Sequence, residues 1–169
     1  MNTGTRKALS LYCAITALTL FAPRLVVGEE LIENASGLEN NPCIEHPYFI
    51  ALEVHNVRKT VGLITVDLHD DNPDGFLNKA GLVSRTRQKA ESGVTRICIP
   101  VEASGTFAIA IYHDKDANQK FNKNWLGLPS EPYGISNDPK IVLSAPPHHK
   151  AAFQVEGPAT PVKVTLRGK

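Results

Sequence analysis

No segment of this sequence holds helical periodicity over about eleven residues, which argues against a helical bundle or an alternating α/β chain. There is no internal repeat, so a solenoid or propeller is excluded as well. Charge of either sign is not in excess, with 18 basic and 17 acidic side chains in 169 residues, so nothing steers the chain broadly to nucleic acid. Cysteine is scarce: Cys13, Cys43 and Cys98 contain no CxxC spacing, which removes a thioredoxin-like or zinc-ribbon reading. Nucleophile-elbow and oxyanion-hole sequences are also missing. Tryptophan occurs once, as Trp125.

The longest apolar run is at the N-terminus. Arg6 and Lys7 precede the uncharged stretch Ala8–Ala22, and Val26 and Gly28 suit the −3 and −1 sites of a signal peptidase. Met1–Gly28 therefore reads as a secretory signal, with export to a periplasmic or secreted location. The run is shorter than the about 20 residues a membrane span needs, so no transmembrane segment is expected once the signal is removed. Removal takes away Arg6, Lys7 and Arg24 and no acid, leaving 15 basic and 17 acidic side chains and a formal charge of −2. Residues 29–46 form an acidic lead-in with Glu29, Glu30, Glu33, Glu39 and Glu45 and no basic residue. Cys43 and Cys98, an even pair in an exported chain, are most simply a disulfide, two unpaired thiols being the other reading.

From residue 47 to 169 a single domain is expected. Ile50, Leu52 and Val54 alternate with Ala51, Glu53 and His55, and Ile64, Val66 and Leu68 alternate with Thr65, Asp67 and His69. Similar runs lie at Val94–Val101, Phe107–Ile111, Phe153–Val155 and Val162–Leu166. Arg85, Arg87 and Lys89 share one face of a further strand; they suit an anion-binding stripe or the charged face of an edge strand. Together these predict an all-β, antiparallel sandwich of about seven strands with one long loop. Asn72–Ala80 could hold one helical turn, and His148-His149 reads as a solvated loop in preference to a metal pair.

The long loop, Asp114–Asn137, leaves the strand Phe107–Ile111 and is where function is expected. Asp114, Asp116, Asn118 and Asn122 stand at positions 1, 3, 5 and 9 of an EF-hand-like calcium loop, with the Lys120 carbonyl at 7. Gln119 replaces the usual Gly at position 6 and Trp125 the usual acid at 12, so any calcium site should be weak unless Glu131 or Asp138 folds back to complete it. The competing reading is an Asx-rich turn that needs no metal. Trp125, Leu126, Leu128 and Tyr133 are expected to pack against the sandwich end, and Trp125 and Tyr133 could also present a stacking surface to a sugar or peptide. His113 is either a hydrogen-bonded pin for the loop or a ligand contact. An enzyme reading would pair His113 with Asp114 or Asp116 and with Ser130 or Ser136, on residue types alone.

The residues Gly105, Thr106, His113, Asp114, Asn118, Lys120, Leu126, Gly127, Pro129, Tyr133, Gly134, Ser136 and Asn137 carry a likeness. In their order and spacing the chain, over roughly Tyr48–Arg167, resembles an uncharacterised bacterial envelope family, domain of unknown function 2141. Phe107, Gln119 and Asn122 depart from its usual Tyr, Gly and Asp. The resemblance implies an exported immunoglobulin- or prealbumin-like sandwich and no particular activity. The function expected is a binding or structural module of the envelope, its partner an unknown envelope component, peptide or carbohydrate. A weakly calcium-dependent carbohydrate or adhesion module is the alternative, and a hydrolase a more distant one.

Overall fold

A computed structural model of the protein describes residues 42–141 and 144–168. The expected signal and most of the acidic lead-in lie outside the described residues. Eight strands follow one another: β1 (Tyr48–Val57), β2 (Leu63–His69), β3 (Leu82–Lys89), β4 (Gly93–Val101), β5 (Gly105–Asp114), β6 (Tyr133–Ile135), β7 (Phe153–Val155) and β8 (Ala159–Thr165). The one α-helical turn among the described residues, α1, is His148–Ala151. The class is all-β. The eighth strand is β6, which sits inside the segment read as loop; Gly134 permits it, because a Cβ there would lie 2.7 Å from Val164 Cγ1.

The strands form two sheets. One has the order β4-β1-β8 and the other β3-β2-β5, with β6 and β7 dividing the far edge of β5 between them. The antiparallel expectation needs one correction: β1 and β8 run parallel, with Leu52 opposite Val162 and Val54 opposite Val164. No hairpin joins these two strands, so no tight turn dictates their direction.

Period-two alternation sends Ile50, Leu52 and Val54 of β1 and Ile97 and Ile99 of β4 towards Ile64, Val66 and Leu68 of β2 and Ile109 and Ile111 of β5. All are buried, and each such side chain contributes about 1.5–3 kcal/mol. Cys43, in the 3-10 turn Pro42–Glu45, is bonded to Cys98 on β4, with Cα atoms 6.1 Å apart. Closing a loop of this span contributes about 4 kcal/mol by chain entropy.

The expected helical turn after Asn72 is two 3-10 turns, Pro73–Gly75 and Lys79–Gly81, each started by an Asn side chain. The His148-His149 expectation is corrected. His148 is buried in α1 and its Nε2–H donates to the Asp70 carbonyl at 3.0 Å. The basic stripe of β3 lies on an edge strand, where Arg85 holds Asp67 of β2 by two bonds of 2.5 and 2.6 Å.

Candidate functional site

The same alternation that fills the core turns a second set of side chains outward from the five-stranded sheet. Register places Asp67 between Arg85 and Ala110, Tyr112 opposite Tyr133, and Ala110 opposite Ile135. These residues are not left to water. The polar loop that follows β5 folds over one side, bringing Lys120, Phe121, Lys123, Leu128 and Pro129 across the sheet, while Leu77, Ile141, Ser144 and Ala145 bound the other. Between them lies a groove of about 810 Å³. That is within the usual range for small-molecule sites, about 300–1,000 Å³. Phe121 is its central ring, 5.2 Å from Tyr112 and 6.0 Å from Tyr133 between centroids.

His69 is among the residues that line the groove. The β2–β3 register slips there, with Leu68 opposite Ser84 but His69 opposite Leu82, the kind of irregularity that re-aims a side chain. Its ring is 2 % exposed and packs edge-on against Phe76, 5.4 Å away. Neither ring nitrogen has a hydrogen-bond partner. Burial pushes the His69 pKa down, against the pull of the Asp67 and Asp70 charges and of the nearby Gly81 carbonyl. That carbonyl accepts the Asp70 N–H at 2.9 Å and does not meet the ring in hydrogen-bonding geometry. A buried donor without a partner costs about 1–3 kcal/mol, so this ring is an energetic liability to the free protein.

The loop that walls the groove is built on carboxylates. Gly62, at φ +68°, turns so closely under the end of β5 that a Cβ would lie 2.0 Å from the Asp114 carbonyl oxygen. Buried Asp114 then accepts the N–H groups of Asn118 at 3.0 Å and Gln119 at 2.7 Å. Gln119 has φ +63°, the left-handed turn that glycine usually supplies at this point of a calcium loop. Glu131 folds back: it is 4 % exposed, and its two oxygens accept Lys115 N–H at 3.1 Å and Asn122 N–H at 3.0 Å. Asp116 binds the Asn118 and Asn122 amides at 2.9 and 3.1 Å. Desolvation raises the Asp116 pKa, but bonds from Asn118, the Asp114 carboxyl and Asn122 outweigh it and hold the group below its ordinary value.

Asp114, Asp116 and Glu131 thus bring carboxylate oxygens within 4.8 Å of one another, and Asn118 and Asn122 stand beside them. A hard divalent cation suits this donor set, since the Asp114 and Glu131 oxygens each keep a lone pair beyond the N–H they accept, whereas Asp116 Oδ2, which accepts both amides, would have to give one up. Asp138, the other candidate for completing the shell, is elsewhere, accepting the Thr165 N–H at 2.9 Å.

His113 is buried, and its Nε2–H donates to the Val61 carbonyl at 2.7 Å, so it pins the β1–β2 turn to the base of the loop. Tyr133 is half-buried beside Phe121. The expectation that Trp125, Leu126 and Leu128 pack against the sandwich end is overturned: they are 90 %, 59 % and 57 % exposed. Hydrogen bonds, not apolar contacts, order this part of the loop, and Phe121 takes the packing role expected of the tryptophan. Two members of the enzyme constellation are engaged elsewhere. The Ser136 hydroxyl is buried and bonded to the Ala151 carbonyl at 2.5 Å, and the His113 Nε2 is committed to Val61. Phe121, Tyr112 and His69 were missed as site residues; the one sequence signal was Phe121 itself, a lone aromatic in a polar run.

Residues 52–163 match the sequence model of the family described as uncharacterized protein conserved in bacteria, DUF2141. The chain belongs to this family. No curated protein and no solved structure matches it.

Proposed function

We propose that the protein is an exported binding module of the bacterial envelope, periplasmic or secreted, and that its ligand occupies the groove on the outer face of the five-stranded sheet. The observation that carries this reading is His69, buried and without a partner, in the lining of a groove where the rings of Tyr112, Phe121 and Tyr133 lie among charged side chains such as Asp67, Arg85 and Lys120. A ligand that bonds to that ring removes a penalty the free protein bears. The signal-like pattern of Met1–Gly28 and the Cys43–Cys98 disulfide, a bond that persists in oxidising compartments, support export. Within the all-β class we place the fold among immunoglobulin- or prealbumin-like sandwiches, on the strength of two sheets facing one aliphatic core.

Tyr112, Phe121 and Tyr133 suit a saccharide ring or the side chain of a peptide. Saturation-transfer NMR with envelope-derived peptides and oligosaccharides tests the reading. A component that binds the wild type should lose most of its signal with Phe121→Ala and with His69→Phe. Equal binding by all three proteins, or binding of no component, would overturn it.

The carboxylates of Asp114, Asp116 and Glu131 favour a second reading, in which the same module is weakly calcium-dependent and acts in carbohydrate binding or adhesion. Asn122, held by Glu131, adjoins Phe121, so a cation on the carboxylates would stiffen the groove wall. Ligand affinity measured with calcium and with chelator separates the two: equal affinities discard the calcium-dependent form.

A further inference from the structure

We infer that the loop tip Trp125–Leu128 enters the interface of an anionic lipid bilayer. Its apolar side chains are exposed by construction. The Asn124 side-chain oxygen accepts the N–H groups of Leu126 and Leu128 at 2.9 and 3.0 Å, and the Asn124 N–H donates to the Leu128 carbonyl at 2.8 Å. Gly127 closes the turn at φ +76°, its N–H on the Asn124 carbonyl at 2.9 Å. These four bonds are made within the tip, which leaves Trp125 90 % and Leu126 59 % exposed. Isolated apolar residues on a surface are ordinary, but a tryptophan and two leucines on one rigid turn form a patch.

Charge says what covers it. Lys120 and Lys123 are exposed beside the tip, while Asp114 and Glu131 are buried and bound to backbone N–H groups, leaving Asp116 as the exposed acid of this stretch. Lysines near an anionic bilayer each add about a fivefold attraction, and tryptophan concentrates at the headgroup level. A four-residue tip with three apolar side chains is too small for a stable protein interface, which buries about 1,200–2,000 Å². A bilayer interface asks for no matching pocket. Gly127, Leu128, Lys120 and Lys123 also border the groove, but Trp125 and Leu126 lie off it, so vesicle binding read at Trp125 stands whether or not the groove reading does.

Trp125 is the chain's one tryptophan, so its emission reports the tip alone. The experiment uses the full chain, purified as the host processes it, with vesicles of phosphatidylcholine alone or mixed with phosphatidylglycerol. With the anionic vesicles Trp125 emission should shift to the blue and be quenched by brominated acyl chains, and salt should weaken both effects. Leu126→Glu, which keeps the reporter and lies off the groove, should lower vesicle affinity about tenfold or more. Lys120→Glu with Lys123→Glu should abolish the preference for anionic vesicles. Sedimentation with vesicles at unshifted emission would overturn the inference, since the apolar N-terminal run could carry the chain there. A blue shift that appears without vesicles and grows with protein concentration would assign the tip to a second copy of the chain and overturn it too.

Discussion

The two faces of the five-stranded sheet are both covered, and they are covered by different physics. On the inner face Ile64, Val66, Leu68, Ile109 and Ile111 meet the second sheet, and burial needs nothing beyond aliphatic shape. On the outer face the cover is irregular chain, ordered by Asp114, Glu131 and the asparagines of the loop. Beneath it lie an Asp67–Arg85 ion pair, a tyrosine and an unpartnered histidine. The inner face makes the protein stable. The outer face keeps a void and an unmade hydrogen bond, which are what a binding surface needs and a core avoids.

Four measurements sharpen or break this contrast. The largest effect belongs to the inner face: Ile111→Ala should cost about 2–5 kcal/mol in urea denaturation, because the cavity cannot collapse between two sheets. A loss below about 1 kcal/mol would mean the inner face is not a rigid core. Next, Asp114→Ala removes a carboxylate bonded to two backbone N–H groups, and should cost about 1.5–3 kcal/mol. Loop amides should lose hydrogen-exchange protection while those of β1 and β4 keep theirs; uniform loss would show the loop is not a separate layer.

Third, His69→Phe should stabilise the protein, by about 2 kcal/mol, since it retains a ring beside Phe76 and deletes the unpartnered nitrogens. The sign of its pH dependence follows from the lowered pKa. The unfolded chain protonates this histidine below about pH 6.5 while the folded protein does not, so stability falls as pH drops through that value towards the folded pKa. The fall should shrink in His69→Phe, and an unchanged profile would mean the ring is not held neutral. Asp116, with its lowered pKa, contributes stability above the ordinary carboxylate range that is lost only as pH falls through its folded value, so the two windows are distinct.

The smallest effect is calcium. With a dissociation constant of about 1 mM, about 10 mM calcium adds about 1.4 kcal/mol and raises the melting temperature by a few degrees. Asp114→Ala with Asp116→Ala should abolish the shift, whereas magnesium at equal ionic strength should not reproduce it. No shift in the wild type would leave the loop as Asx turns alone.

The strands of the core were legible because period two is a local property: Ile50, Leu52 and Val54 declare their face whatever lies opposite. So was the disulfide, from its cysteine count, whereas the calcium-loop pattern lacking its last acid left Glu131 and Asp138 as equal candidates and did not say which folds back. The outer face was illegible for the converse reason. Alternation sets Thr65, Asp67 and His69 on the face away from the core, yet Thr65 and His69 are buried; the His69 ring packs on Phe76 and shares the groove with Phe121 and Ile141 from segments far along the chain. Composition could not say that Phe121 goes in and Trp125 out either. That choice is made by where Asn122 and Asn124 bind their neighbours.

The parallel pairing of β1 with β8 bears on the order of events during synthesis. β1 is flanked in its sheet by β4 on one side and by the last strand on the other. The Asn56 side chain bonds to the Leu166 carbonyl, 110 residues downstream, and the Tyr133 and Arg167 backbones bond to each other across β6. A ribosome must therefore release nearly all of the domain before either sheet can close. The export proposed above would make use of that delay, because a chain is translocated most readily as an unfolded thread. The topology holds the domain open until its C-terminal strand arrives, and the Cys43–Cys98 bond then fastens the closed form.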